Sequence, residues 1–151
     1  MAASGTNVKD LQQLTIDTWM KHNSLPSGQI QHAVTLPGKA VLRYDGENGP
    51  GQLHFYMTIG GGLRHIRVDN ALQIGAFHHI AGTYDGSTMR LYLDGVEVGS
   101  LDVSGTVGTG TNAELSASLH GLLDEVEIYN RALSLSEIQA IFNAGAEGKC
   151  K

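Results

Sequence analysis

The feature that most constrains this fold is the Asp94-Gly95 pair, which lies between two short segments of alternating apolar and polar residues. A two-residue Asp-Gly loop in this setting is typical of a β-hairpin with a type I′ turn, because both central residues need positive φ. A third alternating segment, residues 80–84, precedes the turn-forming residues 85–88. Residues 78–100 are therefore predicted to form three antiparallel strands in a row.

The second informative segment is residues 119–144, in which the two-residue alternation of a strand changes to the spacing of an α-helix. Residues 121–129 alternate between apolar and polar side chains, which predicts a strand. Ser134 lies three residues before Glu137, as in the capping box that begins many helices. Apolar residues then recur at helical spacing up to Gly145, a residue typical of helix ends. This pattern predicts a strand and then a short amphipathic helix that packs on one edge of a sheet.

The rest of the chain has the same all-β character. Its 151 residues include 20 glycines and only 3 prolines, and they fit a single domain. Short alternating segments between glycine-rich turns indicate a β-sandwich of about ten or eleven strands. The other main predicted strands are residues 14–21, 30–36, 40–44, 53–59 and 63–68.

Charge and hydropathy exclude several function classes. The net charge is −5 and the Lys and Arg residues are scattered, which argues against a nucleic-acid binder. No apolar run approaches the ~18 residues that span a membrane, and no signal-like region follows Met1. Residues 1–10 are small and polar and are expected to be disordered or part of a tag. Cys150, the single cysteine in the tail 149–151, is either a free thiol or half of a bridge to a partner outside this sequence.

Three stretches carry a family resemblance: LTIDTWMK, which contains Trp19, then HHIAGTYDGSTMRLYLDG, and then GLLDEVEIYNRALSLSEIQAIFNAG. Their order resembles the laminin-G-like domains of the concanavalin A-like jelly-roll superfamily, over residues 11–148. The resemblance implies an antiparallel β-sandwich jelly roll with one short C-terminal α-helix. It also implies a bacterial, non-catalytic accessory module at an extracellular or cell-surface location. Trp19, the single tryptophan, lies in the middle of a predicted strand and is expected to be in the core.

The start of the chain departs from this family pattern. Relatives usually carry an additional strand before the one that contains the tryptophan, and only residues 1–10 precede Leu11 here. A missing first strand would leave an uncovered sheet edge, which is a site for pairing with another chain. The hypothesis is that the early segment takes a different path, or that two chains form a homodimer at this edge.

The acidic run Asp124-Glu125-Val126-Glu127 is the main candidate for catalysis. Glycoside hydrolases of the same fold use a Glu-x-Asp-x-Glu strand, in which two carboxyl groups about 5–5.5 Å apart perform a retaining reaction. Glu125 and Glu127 are expected to share one face of a regular strand. However, Val126 replaces the assisting Asp, so the chain is predicted not to be an enzyme.

Metal binding is a further expectation from the resemblance. In jelly-roll modules of this kind, an Asp at the start of the last strand joins backbone carbonyls around Ca²⁺, so Asp124 is the candidate ligand. Calcium needs about six to eight oxygens, and the usual co-ligands near the first strand are absent here. The alternative is that Asp124 ties its strand to a neighbour by hydrogen bonds. The 7 histidines lack zinc-site spacing, although His54 and His65 flank a hairpin.

Carbohydrate binding is the function that the resemblance favours. Jelly-roll lectins stack an aromatic ring on the sugar, and polar side chains bind its hydroxyls. The candidate ligand-binding residues are Tyr44, Tyr56 and Tyr92 with Arg43, His54, Arg64, Arg67 and Arg90. The predicted function is a lectin-like carbohydrate-binding module; the alternative is a protein-interaction or adhesion module.

Overall fold

The fold is a β-sandwich of two five-stranded antiparallel sheets, with one helix at its C-terminal end. It is seen in a computed structural model that describes residues 12–24, 28–47, 52–69, 71–109, 114–115 and 121–149. The predictions for residues 1–10 and for Cys150 fall outside these ranges. The elements are β1 (Leu14–His22), β2 (Ile30–Leu36), β3 (Ala40–Asp45), β4 (Leu53–Ile59), β5 (Gly62–Val68), β6 (Phe77–Tyr84), β7 (Thr88–Leu93), β8 (Val96–Asp102), β9 (Glu114–Leu115), β10 (Gly121–Tyr129) and α1 (Leu135–Lys149).

The first sheet has the strand order β10-β1-β6-β7-β8 and contains the predicted three-stranded segment. Asp94 and Gly95 have φ values of 51° and 79°, which confirms the turn with two positive φ angles. The carboxylate of Asp94 accepts hydrogen bonds from the backbone N–H of His79 at 2.9 Å and from the His78 ring at 2.8 Å. These bonds hold a non-glycine residue in the left-handed region.

The second sheet has the order β5-β4-β3-β2-β9, and its inner side chains pack on those of the first sheet. Alternation gives each strand one core face, so Leu42, Phe55 and Met57 are fully buried. Gly82 on β6 faces the Phe55 ring, and a Cβ at this position would lie 2.7 Å from Phe55 Cε1. Only glycine lets this aromatic ring cross the sandwich.

Helix α1 begins with the predicted capping box. The Ser134 hydroxyl accepts a bond from the Glu137 N–H at 3.2 Å, and the Glu137 carboxylate accepts one from the Ser134 N–H at 3.0 Å. Gly145 interrupts the helix with a φ of 66°. The helix covers the outer face of the first sheet instead of the predicted sheet edge, because Ile138 is buried in a second apolar cluster with Ala81 of β6.

Trp19 belongs to this helix contact. It is 5% exposed, which agrees with a core position, but it lies beneath α1 instead of between the sheets. Its ring stacks on Phe142 at a centroid distance of 5.9 Å and contacts His79 at 5.4 Å. The helix is therefore fixed to the sheet by an aromatic contact as well as by aliphatic burial.

The pairing of β10 with β1 corrects one expectation about the acidic run. The register shifts between Asp17 and Trp19, and Glu125 has a φ of 52° at this irregularity. An extra residue of this kind breaks the period-two alternation. The assumption of a regular strand, which placed Glu125 and Glu127 on one face, is therefore wrong.

Two expectations concern surfaces of the whole molecule. Within the described residues, no helix is long and apolar enough to cross a membrane. The strand β10 is an edge strand of the first sheet. The homodimer at an uncovered edge stays a prediction, because residues 1–11 lie outside the part of the chain that the structure describes.

Candidate ligand-binding site

Polar and aromatic side chains meet on the outer face of the second sheet, where β3, β4 and β5 are neighbours. Arg43 pairs with His54, His54 pairs with Arg67, and Tyr56 pairs with His65. Directly paired residues of antiparallel strands project from the same face, and so does a residue two positions along a strand. We define the outer-face cluster as Arg43, Asp45, His54, Tyr56, His65 and Arg67.

Asp45 is the buried anchor of the outer-face cluster. It is 1% exposed, and its carboxylate accepts bonds from Arg43 Nη2 at 3.1 Å and from the Glu47 N–H at 2.9 Å. Arg67 Nε lies 4.0 Å away. Burial alone would raise the pKa of Asp45, but the Glu47 N–H and the Arg43 charge hold this pKa below its usual value. Asp45 is therefore ionised, and both of its oxygens are engaged.

Two histidines link the strands next to Asp45. Arg43 Nε donates to His54 Nδ1 at 3.1 Å, so Nδ1 is an acceptor and the proton of the neutral ring lies on Nε2. His54 Nε2 then donates to His65 Nδ1 at 2.9 Å. This order places the proton of neutral His65 on Nε2, which has no hydrogen-bond partner among the described residues.

Both histidines are neutral at pH 7. Burial, followed by the positive charges of Arg43 and Arg67, lowers the pKa of His54 to about 3. The same causes lower the pKa of His65. A neutral His54 makes no ion pair with Asp45, although its Nδ1 lies 3.3 Å from the carboxylate. The arginine bond fixes the ring there instead.

Tyr56 supplies the aromatic surface of the outer-face cluster. Its half-buried ring lies 5.1 Å from the Arg43 guanidinium carbon, within the range of a cation–π contact. The ring centroids of His54 and His65 lie 5.1 Å and 5.5 Å from it. These contacts hold the ring in place on a rigid strand, which reduces the entropy lost when a ligand stacks on it.

The structure brings together four of the candidates proposed from sequence: Arg43, His54, Tyr56 and Arg67. Asp45 is not among the candidates from sequence, because the predicted strand 40–44 ends one residue before it, whereas β3 includes it. The sequence pattern identifies His65 only as a neighbour of His54. The spacing Arg43-x-Asp45 indicates that Asp45 belongs to the site, since residues two apart on a strand share a face.

The structure places the other four candidates outside the outer-face cluster. Tyr44 is fully buried between the sheets, and Tyr92 is 3% exposed beneath α1, so neither ring can stack on a sugar. Arg90 lies on the first sheet between Asp85 and Glu97, at 3.3 Å and 3.2 Å. Arg64 pairs with Met57 and therefore projects from the opposite face of β5 to Arg67.

Asp124 does not form a metal site with the described side chains. Within the described ranges, no group of three or more His, Cys, Asp or Glu side chains is placed to hold a metal ion. The backbone carbonyl of Asp124 accepts a bond from the Thr18 hydroxyl at 3.1 Å. Calcium requires roughly six to eight oxygens, and its binding at Asp124 stays a prediction.

A groove between β10 and α1 is a second concave feature. Its volume is about 320 Å³, and it is lined by Tyr129, Arg131, Leu133, Glu137, Ala140 and Ile141. Arg131 donates a hydrogen bond to Glu137 at 2.9 Å across this groove. Burial and the carboxylates of Asp17 and Glu127 raise the pKa of Tyr129, so its phenol is uncharged at pH 7.

Comparisons with known proteins agree with the architecture. A laminin-G family model, described as the Concanavalin A-like lectin/glucanases superfamily, matches residues 1–139. No curated protein matches the sequence.

Solved structures share the fold at low sequence identity. A "putative carbohydrate binding protein" from Bacteroides ovatus is 18% identical, with a TM-score of 0.71 over 92% of this chain and 42% of that chain. The binding domain of Paraclostridial mosquitocidal protein 1 is 20% identical, with a TM-score of 0.69 over 94% and 39%. The botulinum neurotoxin serotype D ligand binding domain, solved with N-acetylneuraminic acid, is 12% identical, with a TM-score of 0.65 over 88% and 36%. The chain thus spans 36% to 42% of these structures.

Proposed function

The chain belongs to the concanavalin A-like lectin/glucanases superfamily, and from this membership we propose that it is a non-catalytic, lectin-like carbohydrate-binding module. The proposed site is the outer-face cluster, and the proposed location is extracellular or on a cell surface. Fold alone does not identify a ligand. The ligand class therefore has to follow from the chemistry of the site.

The observation that carries the proposal is a fixed aromatic ring surrounded by fixed polar groups. Sugars present an apolar ring face and a rim of hydroxyls, so they bind to an aromatic surface with hydrogen-bonding groups at its edge. Tyr56 provides the ring, and His65 and Arg67 lie on the neighbouring strand. All three side chains project from regular strands, which hold such groups more rigidly than loops do.

The composition of the outer-face cluster supports binding over hydrolysis. Glycoside hydrolysis usually needs two carboxyl groups on either side of the scissile bond. The outer-face cluster has one carboxylate, Asp45, and it is buried and already bonded to Arg43 and the Glu47 N–H. The other acidic pair, Glu125 and Glu127, lies at the irregular part of β10, in the other sheet.

The solved structures support the same class of function. Their descriptions name a carbohydrate binding protein, a binding domain and a ligand binding domain in complex with N-acetylneuraminic acid. These names describe those proteins, and this chain matches less than half of each. They favour a binding module, and such a module is what we propose here.

A protein-interaction or adhesion module is the second candidate. Phe77 and Leu122 pair on either side of Lys21 across β6, β1 and β10, and they are 36% and 53% exposed. Lys21 Nζ lies 5.4 Å from the centre of the Phe77 ring. Exposed apolar side chains in one row are typical of protein contacts, so this row would serve a protein ligand better than the outer-face cluster would.

A glycan array with matched variants tests the proposal. The wild-type chain is expected to bind a defined set of glycans. Tyr56→Ala should weaken this binding about tenfold, since an aromatic contact contributes about 0.5–1.5 kcal/mol beyond area burial. Tyr56→Phe should retain most of it. Phe77→Ala, which removes an exposed ring from the other sheet, is the control and should bind normally.

Two outcomes would contradict the proposed function. One is a folded wild-type chain that binds no glycan. The other is glycan binding that Tyr56→Ala leaves intact and Phe77→Ala abolishes, which would favour the first sheet. Repeating the array with Ca²⁺ and with EDTA tests the calcium prediction for Asp124.

A further inference from the structure

The outer-face cluster is positively charged, although the whole chain is negative. It contains the guanidinium groups of Arg43 and Arg67, one carboxylate, and two histidines that are neutral at pH 7. The net charge of the chain is −5. Both arginines lower the pKa of His65, and only Asp45 acts in the opposite direction. The cluster therefore holds two cationic side chains and one anionic side chain, a positive balance in a chain whose net charge is negative.

The two arginines have different roles in the outer-face cluster. Arg43 is 14% exposed and is held by Asp45, by His54 and by the Tyr56 ring. Arg67 is 39% exposed, and among the described residues its one ion-pair neighbour is Asp45, at 4.0 Å from Nε. Asp45 is 1% exposed and already accepts two shorter bonds. Arg67 thus keeps most of its five N–H donors for a ligand.

The two hydrogen-bond donors that remain for a ligand next to Tyr56 both favour a ligand group that accepts hydrogen bonds. Arg67 donates only, and neutral His65 presents a proton on Nε2 because Nδ1 accepts from His54. The one carboxylate of the cluster, Asp45, is buried and already bonded to Arg43 and the Glu47 N–H, so it does not accept bonds from sugar hydroxyls. An arginine fork matches the two oxygens of a carboxylate or a sulfate, and charge-assisted bonds of this kind are about twice as strong as neutral ones.

We propose that the ligand of the outer-face cluster is an acidic saccharide, with a carboxylate or sulfate group that Arg67 binds while the sugar ring lies on Tyr56. This inference rests on the proposed carbohydrate-binding function and adds a substrate class to it. Arg67 is the residue that distinguishes acidic sugars from neutral ones, and Tyr56 contributes to both.

Pairs of sugars that differ only in one anionic group separate the effect of ligand charge on affinity from the effect of ligand shape. Oligogalacturonate and its methyl ester differ only at the carboxylate, and a sulfated galactan oligosaccharide and its desulfated form differ only at the sulfate. Titration calorimetry in about 150 mM salt, where weak long-range attraction is largely screened, is expected to show at least about tenfold tighter binding of one acidic member than of its neutral partner. Whichever pair shows the difference identifies the anionic group.

Variants at two positions of β5 provide the test and its control. Arg67→Gln should reduce the preference for the acidic sugar to near onefold, because the acidic sugar loses much more affinity than its neutral partner. Arg67→Lys should retain an intermediate preference, because it keeps the charge and loses the fork. Arg64→Gln makes the same charge change on the opposite face of β5, and it should leave the preference unchanged.

Each contrary result has a separate meaning. Equal binding of the acidic and neutral members overturns this inference and leaves the proposed function standing. An acidic preference that Arg64→Gln reduces as much as Arg67→Gln overturns it too, because the attraction is then a property of overall charge. No binding of any sugar, while circular dichroism shows a folded chain, contradicts the proposed function and this inference together.

Discussion

Asp45 orients the side chains around it because it is a buried charge with fixed hydrogen-bond partners. Its contact with Arg43 orients the guanidinium, and Arg43 in turn donates to His54 and lies against Tyr56. Breaking a buried charge pair by removing one partner costs about 3–5 kcal/mol. A single carboxylate therefore determines the orientation of the tyrosine and both histidines without facing the ligand.

His54 couples the stability of the fold to pH. Its folded pKa of about 3 lies below the ordinary value of 6.5, which the unfolded chain retains, so unfolding takes up a proton between these values. The free energy of unfolding should fall as the pH decreases from 6.5 toward 3, by up to about 1.4 kcal/mol per pH unit from this residue. Above pH 6.5 the contribution is fully present.

His54→Gln removes this titration, so the plot of unfolding free energy against pH should become shallower within that window. Urea unfolding followed by circular dichroism between pH 7 and pH 4 measures both slopes. Equal slopes in the wild-type chain and the variant would mean that folded His54 takes up a proton at its ordinary pKa. That result would contradict the burial and the arginine contacts described for it.

Part of the candidate site was predictable from sequence at this scale. Period two alone places His54 and Tyr56 on one face of their strand. It does not say which face is the inner one, and Tyr44 was assigned to the ligand face although it is fully buried. Asp45 lies one residue beyond the predicted strand 40–44, so the face that it shares with Arg43 becomes apparent only when β3 extends to Asp45.

At the scale of the elements, α1 acts as the cover of the first sheet. Phe142 lies between the Trp19 ring and the hairpin turn, where it comes within 3.0 Å of the Cβ position of Gly95. Gln139 donates a bond to the Gly95 carbonyl at 3.2 Å. The helix therefore stabilises the β7–β8 hairpin as well as burying the sheet face.

The single tryptophan reports on this contact. Phe142→Ala should expose the Trp19 indole, shift its fluorescence emission to longer wavelength and lower the free energy of unfolding by about 2 kcal/mol. The β-sheet circular dichroism should be retained. Leu135→Ala, a change at a side chain on the same helix that is 45% exposed, is the control and should leave the emission unchanged. An unchanged emission in Phe142→Ala would show that α1 does not cover Trp19.

Sequence patterns predicted these elements well and their irregularities poorly. The Asp94-Gly95 turn and the Ser134–Glu137 capping box are local arrangements, and both are confirmed. The bulge at Glu125 appears only when β10 is aligned with β1, because the extra residue is defined by the register of the two strands. The amphipathic pattern predicted a helix that packs on a sheet, but it could not identify which surface of the sheet receives it.

At the scale of the whole molecule, the two outer faces of the sandwich differ. The first sheet is covered by α1, and the second carries no helix among the described residues. Exposed groups on a rigid sheet are available to a ligand without rearrangement. We therefore propose that the outer face of the first sheet is structural and that the outer face of the second sheet binds the ligand.

The most direct test of that claim is an NMR titration of the ¹⁵N-labelled chain with the best ligand from the glycan array. Ligand-induced changes in backbone amide chemical shift are expected to concentrate on β3, β4 and β5, with the largest changes around Tyr56, His65 and Arg67. The residues of β10 and α1 that line the groove should change little. Chemical-shift changes confined to that groove, or to the row containing Phe77 and Leu122, would contradict a binding face on the second sheet.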